Sequence, residues 1–186
     1  MSKYTQAIRE HYEKVWNNQA ASQKWYLGPV EQLPEDFEVL IFPPCKMRGV
    51  WTYATCGMSL PEDSLPLELH LFTSFEHDIL VELLTVVAHY HRNEAQLALG
   101  HTVNFGRGWL AGSTCDHGLV SLPYLDGPDL EILILQEFDT KVSFFWLIPV
   151  TKSEVEFRKA YGLEALERAL EEANFDYLAP GREAVV

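Results

Sequence analysis

Cys115, Asp116 and His117 are the residues most suited to chemistry, three neighbours in a glycine-rich stretch. A thiol becomes a nucleophile when an imidazole removes its proton, and thiol, carboxylate and imidazole groups can all bind metals. A zinc site needs about four donors, however, and no CxxC or HExxH motif supplies the others. We therefore predict no catalytic residue and no metal. A small-ligand site or an enzyme built on Cys115 and His117 remains the alternative.

The same stretch superficially matches a dinucleotide-binding fingerprint, with Gly106, Gly108 and Ala111 at the required spacing. That fingerprint needs a helix directly after it, whose amides and dipole meet the pyrophosphate. Gly112 and the polar residues behind it continue a loop instead, so no cofactor is predicted. We expect a surface loop with an exposed tryptophan and arginine, residue types that are enriched at protein interfaces. These predicted partner-binding residues are Arg107 and Trp109.

Two other pairs of titratable residues give weaker signals. His89 and His91 are two residues apart on a predicted helix, so their rings cannot point the same way. Glu68 and His70 share one face of a predicted strand. That arrangement favours an ion pair or a solvated surface over acid–base catalysis.

The charge of the chain limits its partners. The sequence has 14 basic and 27 acidic residues, a net charge of −13. Nucleic acids and anionic membranes are disfavoured because both attract clustered Lys and Arg. A basic protein partner would be steered towards such a surface. Glu62 and Asp63, in a polar loop between two predicted strands, are added to the predicted partner-binding residues.

The N-terminus and the cysteines suggest a compartment. The first 16 residues are polar and amphipathic and lack the apolar core of a signal peptide. The 3 cysteines are widely spaced, which favours free thiols in a reducing compartment. We expect a cytoplasmic protein without a membrane-spanning segment.

The central stretch of the chain, residues 49–72, predicts two strands. Residues 51–56 alternate as in a half-buried strand, and Gly57 then indicates a turn or bulge that needs positive φ. Leu67, Leu69 and Leu71 alternate with polar or aromatic residues, which predicts a second strand with one leucine face. These two strands should form the inner face of the sheet.

The remaining pattern predicts helices and short strands in an irregular order. Residues 78–90 are apolar around most of a helix, so this helix should be deeply buried. Thr151 and Glu154 have the spacing of a capping box, and Gly162 marks the end of the helix that they begin. The tail from Pro180 should be loose. The other predictions are a helix over residues 3–17, strands over 25–27, 37–42, 101–105 and 119–122, a hairpin formed by 130–138 and 142–148 with Pro149 ending it, and a helix after Gly162.

This order lacks a regular βαβ alternation. It predicts an α+β fold of one domain over residues 1–186, with a mixed or antiparallel sheet, a long buried helix and C-terminal helices packed on the sheet.

Several short motifs resemble the Suppressor of fused family. They begin with Trp51-x-Tyr53, Gly57-Met58-Ser59 and Glu68-Leu69. The resemblance covers residues 25–175, and its later motifs are a buried helix ending at Tyr90, Gly100-His101-Thr102-Val103, Leu147-Ile148-Pro149-Val150, Thr151 with Glu154 and Phe157, and Gly162-Leu163-x-x-Leu166.

The resemblance implies a non-enzymatic protein that binds another protein. The animal member grips an extended peptide between two lobes, and bacterial members resemble immunity proteins that neutralise toxins. The sequence corresponds to one lobe, and the connection between Ser59 and Leu67 is short. We therefore expect an immunity-type protein with a basic toxin as its partner, and a peptide-binding regulatory adaptor is a further alternative. Four motif residues are interpreted as structural, namely Trp51, Tyr53, Gly57 and Ser59.

Overall fold

A mixed sheet organises the chain in the computed structural model, which describes residues 1–28 and 30–186. The strands are β1 (Ala21–Gln23), β2 (Glu38–Phe42), β3 (Trp51–Cys56), β4 (Leu67–Thr73), β5 (Thr102–Asn104), β6 (His117–Ser121), β7 (Ile132–Leu135) and β8 (Thr140–Val150). The helices are α1 (Lys3–Trp16), α2 (Ile79–Asn93), α3 (Pro128–Glu131), α4 (Lys152–Tyr161) and α5 (Leu163–Glu172).

The strands lie in the order β1-β2-β3-β4-β8-β6-β5, and β7 pairs with the first part of β8. All described pairings are antiparallel except that of β4 with β8, which is parallel. Helices cover the sheet, and the α+β prediction is confirmed.

The centre of the sheet is buried on both faces. The leucines of β4 pack beneath α2, which lies against β2 and β3. The opposite face of β4 carries Glu68 and His70, and both are 0 % exposed. The expectation of a solvated surface for Glu68 and His70 was therefore wrong. The reason is α1, which packs its apolar side, including Tyr4 and Trp16, over that face.

The predicted helix over residues 3–17 is confirmed as α1, and the buried helix predicted over residues 78–90 is confirmed as α2. The capping box is also confirmed. Thr151 Oγ1 accepts a hydrogen bond from the Glu154 amide (3.3 Å), and the Glu154 carboxylate accepts one from the Thr151 amide (2.7 Å). Helix α4 ends at Gly162 as expected, and α5 follows at once.

The predicted hairpin is present with different bounds. Only Ile132–Leu135 form the first strand, between the short helix α3 and a 3₁₀ turn over residues 136–138. Pro149 does not end β8, which continues to Val150. Pro149 pairs with Gly118 of β6, but its carbonyl accepts a hydrogen bond from Arg182 (3.0 Å). Its backbone polar groups therefore face the C-terminal segment, and the missing N–H removes no hydrogen bond to β6.

Two further predictions were wrong. Residues 25–27 form no strand, and the edge strand is β1 instead; Pro29, which was expected to help end the predicted strand, lies outside the described residues. The tail from Pro180 is not loose. The Arg182 guanidinium lies 2.7 Å from both carboxylate oxygens of Glu154, and both side chains are nearly inaccessible to solvent. Among the described helices, none is long and apolar enough to cross a bilayer.

Candidate partner-binding site

The Glu68 carboxylate is the centre of the motif-bearing stretch. It is fully buried on β4 and accepts hydrogen bonds from the amides of Gly57 (3.2 Å), Met58 (3.3 Å) and Ser59 (3.1 Å). The hydroxyls of Thr55 (2.6 Å) and Ser59 (2.7 Å) complete the set. Successive amides converge on one anion, as in other backbone anion nests. These bonds favour the charged carboxylate, while burial, the larger effect, raises its pKa.

The geometry explains why a glycine follows β3. Gly57 has φ +82°, and a Cβ there would lie 2.9 Å from Thr5 Cγ2 and 3.3 Å from the Asp36 carbonyl oxygen. A larger residue would therefore meet both backbone strain and α1. On the far side of the nest, the Ser59 hydroxyl also bonds to the Tyr4 hydroxyl of α1 (2.9 Å). The motif thus joins β3, β4 and α1.

The other two motif residues lie on β3. Tyr53 is 0 % exposed, and its hydroxyl accepts a hydrogen bond from the His77 amide (2.7 Å). This contact fixes the segment between β4 and α2, which contains His77. Trp51 is partly buried and packs against the core cluster beneath α2.

A second buried polar cluster surrounds Asp126, in the turn that precedes α3. Its carboxylate is 0 % exposed, accepts a hydrogen bond from Trp16 Nε1 (2.7 Å) and forms an ion pair with Arg48. The Arg48 guanidinium lies 5.0 Å from the Trp16 ring centre and 4.8 Å from that of Phe72. His70 Nε2 lies 3.2 Å from Asp126 Oδ2 without hydrogen-bond geometry. The cluster joins α1, β4 and two loops.

Burial sets the charges in this cluster. It lowers the pKa of His70 well below its ordinary value, and the nearby Arg48 cation adds to the shift. Burial also lowers the pKa of Arg48, to about 10, which leaves it charged at neutral pH. A neutral imidazole beside a paired carboxylate has the composition of a catalytic dyad. Both side chains are 0 % exposed, however, so no substrate reaches them from the surface.

The glycine-rich loop differs from its prediction. Trp109 is only 1 % exposed and packs in the core cluster beneath α2, so the expectation of an exposed tryptophan was wrong. The loop folds back with a hydrogen bond from the Trp109 amide to the Cys115 carbonyl (3.0 Å), and the apolar indole packs in the core with Cys115. Arg107 is exposed and forms an ion pair with Glu82 of α2 (2.8 Å). The predicted pair Arg107 and Trp109 therefore does not form one surface.

Cys115 and His117 do not come together as a reactive pair either. Cys115 is buried, and burial raises the pKa of its thiol. His117 Nδ1 lies 2.6 Å from the Asp116 carboxylate instead. Within residues 1–28 and 30–186, no group of three or more His, Cys, Asp or Glu side chains could hold a metal ion.

Glu62 and Asp63 lie beside a surface groove. Glu62 is exposed, whereas Asp63 accepts a hydrogen bond from the Leu60 amide (2.8 Å) and forms an ion pair with Arg92. The groove has a volume of about 560 Å³ and is mostly apolar. Its lining includes Leu65, Leu97, Leu99, Lys141 and Phe145.

Comparison with known proteins decides the family. The family model described as Suppressor of fused protein matches residues 34–183. The chain belongs to the Suppressor of fused family. A solved Suppressor of fused homologue from Neisseria gonorrhoeae is similar at 32 % identity and a TM-score of 0.84, over 98 % of this chain and 97 % of that one. No functionally curated protein matches the sequence.

Two more distant solved structures share the Suppressor of fused fold. A chain from the Sufu–Fu complex is 16 % identical with a TM-score of 0.72, and the match covers 98 % of this chain and 92 % of that one. Drosophila Suppressor of fused is 14 % identical with a TM-score of 0.69. This chain matches over 98 % of its length but spans only 51 % of the Drosophila protein.

Sequence reasoning missed the Asp126 cluster. Arg48, His70 and Asp126 are far apart in the sequence, and no two of them lie at helical or strand spacing from each other. Asp126 stands in a Leu-Asp-Gly turn, where aspartate is common for local reasons. Nothing in the local sequence therefore indicated that Asp126 is buried.

Proposed function

We propose that this Suppressor of fused protein is a non-enzymatic binding protein that neutralises a basic protein partner, most simply a toxin. The observation that carries the proposal is its family membership, together with the solved Sufu–Fu complex, in which a protein of this fold is bound to a protein partner. The residues that could do chemistry support the same role because they are buried or paired with each other.

The net charge supports a basic partner. An excess of 13 negative charges raises the rate at which a cationic protein arrives and discourages nucleic acids. The 3 cysteines are free thiols, as expected for action in a reducing cytoplasm.

The proposal is tested by affinity capture from a lysate of the native host. The tagged protein and an unrelated acidic protein of similar size are used in parallel, and retained proteins are identified by mass spectrometry. We expect one basic protein in near-equal amount that is absent from the control. The purified pair should bind in a calorimeter with an affinity that falls as salt rises, since ionic screening weakens steering and pairing.

Co-expression then tests neutralisation. The captured protein should arrest growth when expressed alone, and this chain should restore growth. A captured protein that is harmless alone would contradict the toxin assignment. If the captured protein bound this chain no more tightly than it bound the unrelated acidic control, the binding role would be contradicted.

A free strand edge favours a second candidate, a regulatory adaptor that binds a peptide. Within the described residues β7 pairs with β8 only, and its outward-facing Ile134 is 69 % exposed. An unpaired edge can accept an added strand through its main-chain groups. Proline at Ile134 would remove an edge N–H, whereas serine there would keep it. Peptide binding lost with I134P and retained with I134S would support this candidate, and equal binding by both would argue against it.

A further inference from the structure

Two exposed turns carry apolar side chains next to the buried Asp126 cluster. Met47 is 76 % exposed in a turn closed by mutual backbone hydrogen bonds between Cys45 and Arg48 (2.7 and 3.1 Å). Tyr124 and Leu125 are 59 % and 51 % exposed in the turn before α3. Large apolar side chains held at the surface in one region are typical of interaction sites.

The buried ion pair holds these turns together. Arg48 directly follows Met47, and Asp126 directly follows Leu125. Their ion pair, with the Trp16 hydrogen bond to Asp126, fixes both turns against α1 and β4. The Asp126 and Gly127 amides also bond to the Pro123 carbonyl (2.8 and 3.0 Å), which closes the second turn. The backbone of both turns is therefore already ordered, and little conformational freedom is lost there when a partner binds. Preorganisation of this kind improves affinity.

Carboxylates lie on the Tyr124 side of this surface and form its rim there. The Tyr124 hydroxyl donates a hydrogen bond to Glu167 of α5 (3.2 Å). Burial raises the pKa of Tyr124, and the nearby charges of Glu167, Glu131 and Glu171 raise it further. Among the described residues, neither Glu131 nor Glu171 has an ion-pair partner. The rim is thus acidic and partly unneutralised.

We propose that the two-turn surface is the docking site for a Lys- and Arg-bearing segment of a protein partner. It consists of Met47, Tyr124 and Leu125, with the acidic rim of Glu131, Glu167 and Glu171 on its Tyr124 side. The aliphatic stems of these cations lie on the apolar centre, and their charged ends pair with the rim carboxylates. The aromatic face of Tyr124 adds a cation–π contact. This inference rests on the proposed function and assigns its binding surface.

The test uses the whole protein and a phage library of random dodecapeptides. We expect enriched peptides to be cationic with interspersed apolar residues. The strongest synthetic peptide is then titrated against three variants by fluorescence polarisation. The double variant Y124S/L125S should weaken binding at least about tenfold, as loss of a central contact does. The double variant E131Q/E171Q should weaken it less, by about two- to tenfold, because exposed rim charges contribute modestly.

The matched control is Phe75→Ser, which removes another exposed apolar side chain (69 % exposed) beside the acidic Glu76 and Asp78. It should leave affinity unchanged. All substituted side chains are at least partly exposed, and circular dichroism confirms that each variant is folded. Peptides that are neutral or acidic, binding that depends on Phe75 instead, or no enrichment at all would overturn the assignment of this surface. Those results would not affect the capture of a partner from host lysate. The test of this surface and the test of the proposed function can therefore fail independently.

Discussion

The Ser59 hydroxyl donates a 2.7 Å hydrogen bond to Glu68 Oε1, and both residues are 0 % exposed. Ser59 ends one motif of the family and Glu68 begins the next, nine residues later in the sequence. The two motifs are therefore halves of one hydrogen-bonded unit. This relationship gives a physical reason for their joint presence in the sequence.

Glu68→Gln tests this unit. The amide would present N–H groups to a site where backbone N–H groups already point, so at least one donor would be left unsatisfied. We expect a loss of about 1–3 kcal/mol in the free energy of unfolding. Urea denaturation measures it, with Glu164→Gln on the exposed face of α5 as the matched control. Equal stability of E68Q and E164Q would contradict the importance of the nest.

Gly57→Ala tests the close approach of α1 to the end of β3. Gly28 is the control, because its φ of +85° is nearly the same as that of Gly57 and no atom lies within 4 Å of a Cβ there. Both alanine variants incur backbone strain of about 1–2 kcal/mol. G57A should lose more stability than G28A in thermal unfolding, because its Cβ also meets Thr5 and Asp36. Equal losses would mean that strain alone explains the glycine.

Arg182→Ala tests the attachment of the C-terminal segment. The substitution leaves the buried Glu154 carboxylate without its cation, and such losses reduce stability by about 3–5 kcal/mol. Lys159→Ala is the control, since the Lys159–Glu156 pair is more than half exposed and should contribute little to stability. Limited proteolysis should cleave the segment after Pro180 faster in R182A. Unchanged cleavage would show that other contacts hold the segment.

The stability of the protein should depend on pH through His91. Its Nδ1 accepts a hydrogen bond from the Leu97 amide (2.9 Å), and burial lowers its pKa to about 4. The unfolded chain therefore binds a proton at a higher pH than the folded chain does, and stability should fall as pH drops from about 6.5 towards 4. His91→Asn keeps an acceptor oxygen and should reduce this pH dependence in urea titrations without abolishing it, because burial also lowers the pKa of His70. An unchanged pH dependence in H91N would contradict the role of His91.

The thiol of Cys115 should be unreactive in the native protein. Burial raises its pKa, and Cys56 is buried as well. A thiol reagent should modify only the partly exposed Cys45 in the native protein and all 3 cysteines in denaturant. Rapid native modification that disappears in Cys115→Ser would contradict this and would support the enzyme alternative.

Local sequence patterns predicted the elements of the fold well. The leucine alternation of β4, the apolar circumference of α2 and the capping box of α4 all depend on residues within a few positions of one another. Such patterns are visible in sequence because their periodicity is fixed by backbone geometry. Polar groups on the buried face of β4 were misinterpreted because period two shows which residues share a face, but not whether a helix covers it.

The candidate site was much less predictable. Trp109 has the type and neighbourhood of an interface residue, yet the loop folds back on itself and its indole packs in the apolar core. Arg48 and Asp126 meet across almost eighty positions of sequence, and Arg182 meets Glu154 only because the tail folds back. Contacts of this kind depend on tertiary structure, so composition and spacing carry no trace of them.

The parallel pairing of β4 with β8 also has a consequence for folding kinetics. Residues in register there, such as Leu67 and Ser143, are separated by most of the middle of the chain. The β2–β3–β4 meander can form early from neighbouring segments, whereas β8 must close a long loop before the two halves of the sheet join. Long-range pairings of this kind slow folding. We expect a chain that refolds slowly for its size and exposes the edge of β4 until β8 arrives.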